Sequence, residues 1–256
     1  MIENNSQKKG SKAEFRLLII NSSGNSSKTT TGRGLIRQRM QEPSYYKVGY
    51  IEKDTRADEI FVTADNLSSV HKVLMTSTSA IVEVEIAAYE QTINKMKEME
   101  GCHEDYDFVL VPTINSSPKL IKDSIRTIEK LIEIGIPSSK IRVLFNKGTH
   151  NNDYFEILTN KLDELKVPYD LRAQVKSYDF YEKLDTLDIK YDDVTESKYK
   201  KNREQVDLLK NRLSLDIGTH RASQAYFVEV VSVQRSILAS RQAHDEVFDM
   251  LFSKSA

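Results

Sequence analysis

Near its N-terminal end, this sequence has an apolar run that is followed by a loop of small residues and then by Lys28 and Thr29. Residues 17–20 are all Leu or Ile, which predicts a buried strand in a sheet covered on both faces. Residues 21–27 are all Asn, Ser or Gly, and helical character follows at residues 35–40. A strand, a small-residue loop, a Lys-Thr pair and a helix form the context of a phosphate-binding P-loop.

Such a loop binds anions through the N-terminus of the helix that follows it. The first N–H groups of a helix are unpaired and its N-terminus carries partial positive charge, so anions bind there. We expect Lys28 to reach the β- and γ-phosphate oxygens, and the Thr29 hydroxyl to take one coordination position of Mg²⁺. The other residues expected to contact the phosphates are Gly24, Asn25, Ser26, Ser27 and Thr30. The alternative is a strand-to-helix turn that binds nothing.

The loop departs from the usual motif at its glycines. The common pattern is Gly, four residues, Gly, Lys and Ser or Thr, and here Ser22 and Ser27 occupy the two glycine positions. If the second position needs a positive φ, a residue with a Cβ costs roughly 1–2 kcal/mol there.

Two carboxylates are candidate partners of the loop. Asp54 follows a predicted second strand at residues 46–51 and is a candidate to reach Mg²⁺ or to orient an attacking water; the alternative is a turn residue that binds local N–H groups. Glu83 lies in a predicted third strand at residues 79–86. It is a candidate for a water-mediated Mg²⁺ ligand, although the alternation around it is also typical of a half-exposed edge strand. With Lys28, these residues form the predicted catalytic set.

Later segments continue the alternation of strands and helices. Strands are predicted at residues 106–112 and 141–145, with amphipathic helices between and after them, and a last strand within residues 167–175. This order predicts a parallel sheet with right-handed crossovers, whose ligands bind at the carboxyl ends of the strands. The loop, Asp54, Glu83, Pro112 and Asn146 all fall at those ends.

The two ends of the chain differ from the middle. Residues 1–13 are polar and aperiodic and are expected to be a disordered leader, and residues 14–196 form the α/β domain. Residues 197–256 are predicted to be helices that pack on the same domain or on a partner. A basic stretch there contacts the DNA backbone or is a solvated helix face; it comprises Lys198, Lys200, Lys201, Arg203, Lys210 and Arg212.

Composition limits the remaining classes of function. The net charge of −1 gives no global basic field, so any contact with nucleic acid must come from a local patch or a partner. A single cysteine excludes an internal disulfide and a cysteine-cluster zinc site. The sequence has neither a long apolar run nor a secretory signal, which predicts a cytoplasmic protein that does not contact membranes.

Several segments together resemble a known family. They are residues 19–30 (IINSSGNSSKTT), 81–84 (IVEV), 98–112 (EMEGCHEDYDFVLVP), 122–137 (KDSIRTIEKLIEIGIP) and 140–147 (KIRVLFNK). The chain resembles the StbB-type plasmid stability proteins, which are P-loop ATPases related to the ParA and MinD partition proteins. The resemblance covers roughly residues 15–150 and is most specific in the last two segments.

The resemblance implies a fold, ligands and partners. It implies a three-layer α/β P-loop fold with a mostly parallel sheet flanked by helices and a C-terminal helical extension. The implied cofactors are ATP and Mg²⁺, and the implied partners are a second copy of the chain in a homodimer, a DNA-bound partition protein and non-specific DNA. Lys28 and Thr29 match the family's phosphate lysine and Mg²⁺-side threonine, and Asn146 matches an asparagine that faces the adenine.

The chain also departs from the family at defined positions. Ser27 replaces the glycine before the lysine, Glu83 replaces an aspartate, Glu85 replaces a glycine, and Ser23 stands where the ParA signature lysine is found. Two hypotheses follow. One is an ATP-driven switch in plasmid maintenance, and the other is a nucleotide-independent scaffold that binds a protein partner through its C-terminal helices.

Overall fold

The computed structural model describes residues 12–24, 26–53, 55–146, 153–176, 178–210 and 217–253. Two predicted site residues, Asn25 and Asp54, lie outside the described residues, as do positions 1–11 of the predicted leader and Arg212 of the basic stretch. Ala13, at the end of the predicted leader, pairs with Met40 in an isolated parallel bridge.

Six strands form one sheet in the described part of the chain, in the order β3-β2-β4-β1-β5-β6. Every pair of neighbouring strands is parallel. The strands are β1 (Arg16–Ile19), β2 (Ser44–Gly49), β3 (Ile60–Thr63), β4 (Ala80–Val84), β5 (Phe108–Ile114) and β6 (Ile141–Asn146).

Helices connect the strands and extend beyond them. The first, α1 (Lys28–Thr30), continues as a π-helix over Thr31–Ile36 and a 3₁₀ turn over Arg37–Arg39. The others are α2 (Leu67–Leu74), α3 (Tyr89–Glu98), α4 (Pro118–Glu133), α5 (Asp153–Glu164), α6 (Phe180–Thr186), α7 (Glu196–Lys210) and α8 (Ile217–Phe252).

The sheet is the middle of three layers, because its strands alternate between two apolar cores. Leu18, Tyr46 and Val82 pack with helices α2 to α5 on one face. Leu17 and Tyr45 face the other side, where the segment after the loop and the end of α8 cover them. The α/β architecture with a parallel sheet and a C-terminal helix, which the sequence predicted, is therefore confirmed.

The C-terminal helix α8 packs on the sheet through its last turns. Phe248 and Phe252 stack on Phe15, with ring centroids 6.1 and 4.8 Å away. Further back, α8 contacts α7, whose side chains are exposed apart from Val206 and a few half-buried ones. In the part of the chain that is described, no helix combines the length and apolar character needed to cross a membrane.

Two sequence interpretations are wrong. The strand that carries Glu83 is not a half-exposed edge strand: β4 lies between β2 and β1, and all five of its residues are buried. The last strand expected within residues 167–175 does not form. The segment approaches β6 through a bond from the Phe145 N–H to the Ala173 carbonyl, at 2.9 Å, and its described residues run as turns and irregular backbone.

The topology makes a crevice at one end of the sheet. The chain leaves β1 towards β2 on one side and leaves the neighbouring β5 towards β6 on the other. Ligands of open α/β sheets bind at the carboxyl ends of strands where the connections diverge in this way. The loop at residues 21–27 begins at the carboxyl end of β1 and therefore lies at this crevice.

Candidate phosphate-binding site

The loop after β1 is fastened to the neighbouring strand by its first residue. The Asn21 side-chain amide donates to the Pro112 carbonyl on β5 at 2.7 Å and to the Ser124 hydroxyl on α4 at 2.9 Å. Its side-chain oxygen accepts from the Ser23 N–H at 2.9 Å. Asn21 is fully buried, so these bonds hold the start of the loop in one conformation.

Lys28 folds back across this loop. Its ammonium group donates to the carbonyl oxygens of Asn21 at 3.1 Å and Ser23 at 2.9 Å, and to the Ser26 hydroxyl at 3.4 Å. The residue is only 7% exposed. The predicted phosphate lysine therefore lies inside the curve of the loop, between the first loop residues and the start of the helix.

Burial makes this ammonium group costly to keep charged. Removal from water lowers the pKa of Lys28 to about 8, and the carboxylates of Glu83 and Glu85 raise it in part. At neutral pH the group is still mostly protonated, so the loop encloses a positive charge whose acceptors are uncharged oxygens.

Ser27, which precedes the lysine, is in the left-handed region at φ 60° and ψ 31°. The position does require a positive φ, as the glycine of the common motif would suggest, and the serine Cβ carries the associated strain. The Thr31 N–H donates to the Ser27 carbonyl at 2.9 Å, so the helical segment begins directly after this residue.

Thr29 and Glu83, the predicted metal ligands, are in contact. The Thr29 hydroxyl donates to Oε1 of Glu83, and the Tyr45 hydroxyl donates to Oε2 at 2.5 Å. Glu83 is 1% exposed and lies next to β1 in the sheet register, where it aligns with Ile19. Burial and then the Glu83 carboxylate raise the pKa of Tyr45 well above its usual value, so this tyrosine stays a hydrogen-bond donor.

These residues fit a magnesium ion that is bound to a phosphate group. Mg²⁺ prefers oxygen ligands and keeps several waters, using one or two protein groups and substrate phosphates. A threonine hydroxyl that gives its proton to Glu83 keeps lone pairs for a cation. The Ser23 hydroxyl of the loop is buried, and no described residue hydrogen-bonds to it, as expected of a group reserved for a ligand.

Asn146, the predicted adenine contact, ends β6, two strands from β1. Its side chain is 8% exposed, and its Nδ2 has no hydrogen-bond partner among the described residues. A buried amide donor without a partner is uncommon in a folded protein. Its place at the carboxyl edge of the sheet is compatible with a base at that edge.

A buried ion pair on the same helical segment was not predicted. Arg33 binds Glu59 with two parallel bonds, from Nε to Oε1 at 2.7 Å and from a terminal nitrogen to Oε2 at 2.8 Å. Burial would raise the pKa of Glu59, but the hydrogen bonds from Arg33 and from the Arg56 N–H hold it below its usual value. The pair fixes the loop after β2 to the segment that follows Thr29.

A cavity of about 180 Å³ adjoins the site between Thr29, Thr30 and the side chains of Tyr181 and Tyr191. This volume is smaller than the roughly 300 Å³ at which ligand pockets commonly begin. This cavity alone is therefore too small to enclose a nucleotide. A larger depression of about 460 Å³, near Met40, lies towards the amino ends of the strands.

The structure thus brings most of the predicted residues to one place. Lys28, Thr29 and Glu83 meet at the loop, with Ser26 and Ser27 beside them. Gly24 is exposed, and a Cβ there would lie 3.2 Å from Ile86 Cδ1; Thr30 lines the small cavity. Asn146 is at the same edge of the sheet but further along it.

One residue that shapes the site, Tyr45, was missed from the sequence. The partner of Glu83 depends on which strand lies beside β4, and the order of strands in a sheet cannot be predicted from a single sequence. The signal that was present is the alternation in β2, which places Tyr45 and Lys47 on one face and Tyr46 on the other.

Comparison with known proteins adds little to this geometry. No model of a known protein family matches the chain, and no curated protein matches it. Among solved structures, the chain is similar to an ATP complex of an McdA variant from Cyanothece. That match has 11% sequence identity and a TM-score of 0.42, and it covers 70% of this chain and 89% of the McdA chain.

Proposed function

We propose that this chain binds a nucleoside triphosphate with Mg²⁺ at the loop between β1 and α1. The observation that carries the proposal is the buried Lys28 ammonium group, enclosed by its own loop next to the Thr29–Glu83 contact. A buried positive charge and a hydroxyl–carboxylate pair at the carboxyl end of a parallel sheet match the needs of a triphosphate and its cation.

Each residue has a defined part in this binding. Lys28 would exchange its loop carbonyls for phosphate oxygens, and the N–H groups at the start of α1 would add backbone donors. Thr29 and Glu83 would hold the cation side of the ligand. The bound cation would neutralise charge on the phosphates, which with the positioning of a water is what slow phosphoryl transfer to water requires.

The finer proposal is an ATPase-type switch in plasmid stability or partition. Support for it comes from the resemblance of several segments to the StbB-type proteins, above all residues 122–137 and 140–147. In this account ATP favours a homodimer that engages a DNA-bound partner or DNA itself, and hydrolysis resets it. Such a switch needs a difference in ATP affinity between two states, and not tight binding as such.

The competing function is a nucleotide-independent scaffold. The observation in its favour is that Lys28 already has three acceptors within its own loop, while Ser27 strains the position before it. The helices α7 and α8 would then bind the protein partner.

A calorimetric titration with ATP separates the two functions. The wild type should bind ATP more tightly with Mg²⁺ than with EDTA, and Lys28→Ala should lose about 10–100-fold in affinity. Lys140→Ala is a matched control, because Lys140 also donates to backbone carbonyls, those of Tyr106 at 2.7 Å and His103 at 3.4 Å, at the other end of the sheet. Equally weak binding by wild type and Lys28→Ala would exclude the nucleotide site.

Turnover and assembly test the finer proposal. ATP hydrolysis should be measurable in the wild type or in Ser27→Gly. In addition, DNA should change the rate of hydrolysis, or ATP should change the sedimentation coefficient of the protein. ATP binding with no turnover in either protein, and no response to DNA, would leave a nucleotide-binding protein that is not a partition ATPase.

A further inference from the structure

The residue that holds Glu83 in place is Tyr45, on the neighbouring strand β2. Tyr45 is 1% exposed, and its hydroxyl donates to Oε2 of Glu83 at 2.5 Å. The other oxygen of the same carboxylate accepts from Thr29. The two carboxylate oxygens therefore have different donors, one from β2 and one from α1.

The sheet register explains how Tyr45 reaches this carboxylate. Tyr45 aligns with Ile81 on β4, and Glu83 is two residues further along the same strand. Side chains two apart on a strand share a face, so the tyrosine ring and Glu83 lie on the same side of the sheet. The hydroxyl of a long aromatic side chain spans the remaining distance along the strand.

The helical segment after the loop leaves room for this hydroxyl only because residue 32 is glycine. A Cβ at Gly32 would lie 2.0 Å from the Tyr45 hydroxyl oxygen and 3.3 Å from Ile19 Cδ1. A Cβ atom does not approach another heavy atom that closely, so with any other residue at position 32 either the tyrosine hydroxyl or the helical segment would have to shift. Gly32, Tyr45 and Glu83, from three different elements, thus fit together around one carboxylate.

A glutamate needs such a support more than an aspartate does. Its side chain has one more rotatable bond, so an unsupported carboxylate would distribute between several rotamers. Metal sites commonly fix their ligands through hydrogen bonds from surrounding groups, and loss of such a group weakens metal affinity about 10–100-fold.

We infer that Tyr45 is a positioning residue for the cation side of the nucleotide site. It occupies Oε2 of Glu83 and keeps Oε1 directed at Thr29, which restricts the rotamers of the glutamate side chain. This inference rests on the proposed nucleotide function, and it adds the group that fixes the orientation of the Glu83 carboxylate.

The test compares Tyr45→Phe with Tyr106→Phe. Both replacements remove the hydroxyl of a fully buried tyrosine, and the Tyr106 hydroxyl instead faces His71 at 3.5 Å, away from the loop. The quantity measured is the ratio of ATP affinity with Mg²⁺ to ATP affinity with EDTA. Tyr45→Phe should lower this ratio by about 10-fold and leave the affinity in EDTA unchanged, whereas Tyr106→Phe should leave both unchanged.

A variant of the carboxylate itself tests whether Tyr45 acts through Glu83. In Glu83→Asp the shorter side chain draws the carboxylate away from the tyrosine hydroxyl, so adding Tyr45→Phe should have no further effect on the ratio. The inference is overturned if Tyr45→Phe alone keeps the wild-type ratio, or if it lowers the ratio equally with glutamate and with aspartate at position 83.

Crystal structures keep the inference distinct from the proposed function. If the wild type binds no nucleotide, the proposed function fails, and the positioning role is decided by the unliganded structures of wild type and Tyr45→Phe. Movement of the Glu83 carboxylate away from Thr29 in the variant supports the role. An unmoved carboxylate contradicts it.

Discussion

Two buried cations lie on the same helical segment of this protein, and they differ in the groups that accept their hydrogen bonds. Arg33 is closed into a bidentate pair with the Glu59 carboxylate, whose side chain is fully buried. Lys28 is about as buried, yet the oxygens that accept from it are uncharged ones of its own loop. Arg33 is neutralised by direct contact with a carboxylate, whereas the carboxylates of Glu83 and Glu85 raise the pKa of Lys28 only in part.

The difference separates a structural charge from one that can serve a ligand. A planar guanidinium group that makes two parallel hydrogen bonds to a carboxylate is neutralised and held in a fixed orientation. An ammonium group held by carbonyl oxygens keeps its charge and can exchange those acceptors for the oxygens of an anion. Removal of the first cation's partner should therefore affect folding, and removal of the second cation should affect binding.

The largest effect is expected from Glu59→Gln. This change leaves the Arg33 guanidinium buried opposite a neutral amide and should lower the free energy of unfolding by about 3–5 kcal/mol. Urea denaturation measures it, with Glu98→Gln as the control, because the exposed Lys95–Glu98 pair should contribute little to stability. A loss below about 1 kcal/mol at Glu59 would contradict a structural role for the pair.

The next effect is the pH dependence of ATP affinity. The free protein holds the pKa of Lys28 at about 8, and a bound phosphate favours the charged form. Affinity should therefore be flat below that pH and fall about tenfold per pH unit above it. In the unliganded protein the sign reverses: stability should rise between pH 8 and 10.5, since the unfolded chain binds the extra proton there.

The control for this pH profile is Lys28→Met, in which both trends should disappear. Calorimetry at several pH values gives the affinity, and urea denaturation at the same values gives the stability. A wild-type affinity that stays constant up to pH 10 would show that the ammonium group does not contact the ligand.

A smaller effect is expected from Ser27→Gly. The residue is at φ 60°, where glycine carries no Cβ strain, so the variant should be more stable by roughly 1 kcal/mol. Lys166→Gly, at φ 54° and remote from the loop, should gain a similar amount without any change in ATP binding. Loss of stability in Ser27→Gly, measured by urea denaturation, would mean that the serine side chain contributes a contact that outweighs the strain.

The smallest effect concerns the stability of Lys28→Met. The unfavourable burial of the ammonium group offsets its hydrogen bonds to the loop, so the free energy of unfolding at pH 7 should change by about 1 kcal/mol or less. This result beside a large loss for Glu59→Gln would sharpen the contrast between the two cations. A loss of 3 kcal/mol or more, of the size expected for a broken buried pair, would make Lys28 a structural residue like Arg33.

The sequence was informative wherever the relevant signal is local. The apolar run before the loop, the Lys-Thr pair and the alternation of strands and helices led to the sheet and to the position of Lys28 at its carboxyl edge. The need for a positive φ at Ser27 was also visible, because the motif has a glycine there.

The parts that were wrong or missed depend on how distant segments pack against one another. Glu83 looked compatible with an edge strand because valine and glutamate alternate around it, but β4 is central and its polar residue is buried against Thr29 and Tyr45. The Arg33–Glu59 pair joins residues whose meeting depends on how the loop after β2 returns. Such pairings follow from the packed fold and not from any single segment.

The proposed nucleotide site is tested most directly by a crystal structure grown with Mg²⁺ and a non-hydrolysable ATP analogue. We expect a triphosphate in the loop, with the Lys28 ammonium group moved from the Asn21 and Ser23 carbonyls onto phosphate oxygens and the cation next to Thr29. An empty loop at saturating nucleotide, with Lys28 still bound to those two carbonyls, would contradict it.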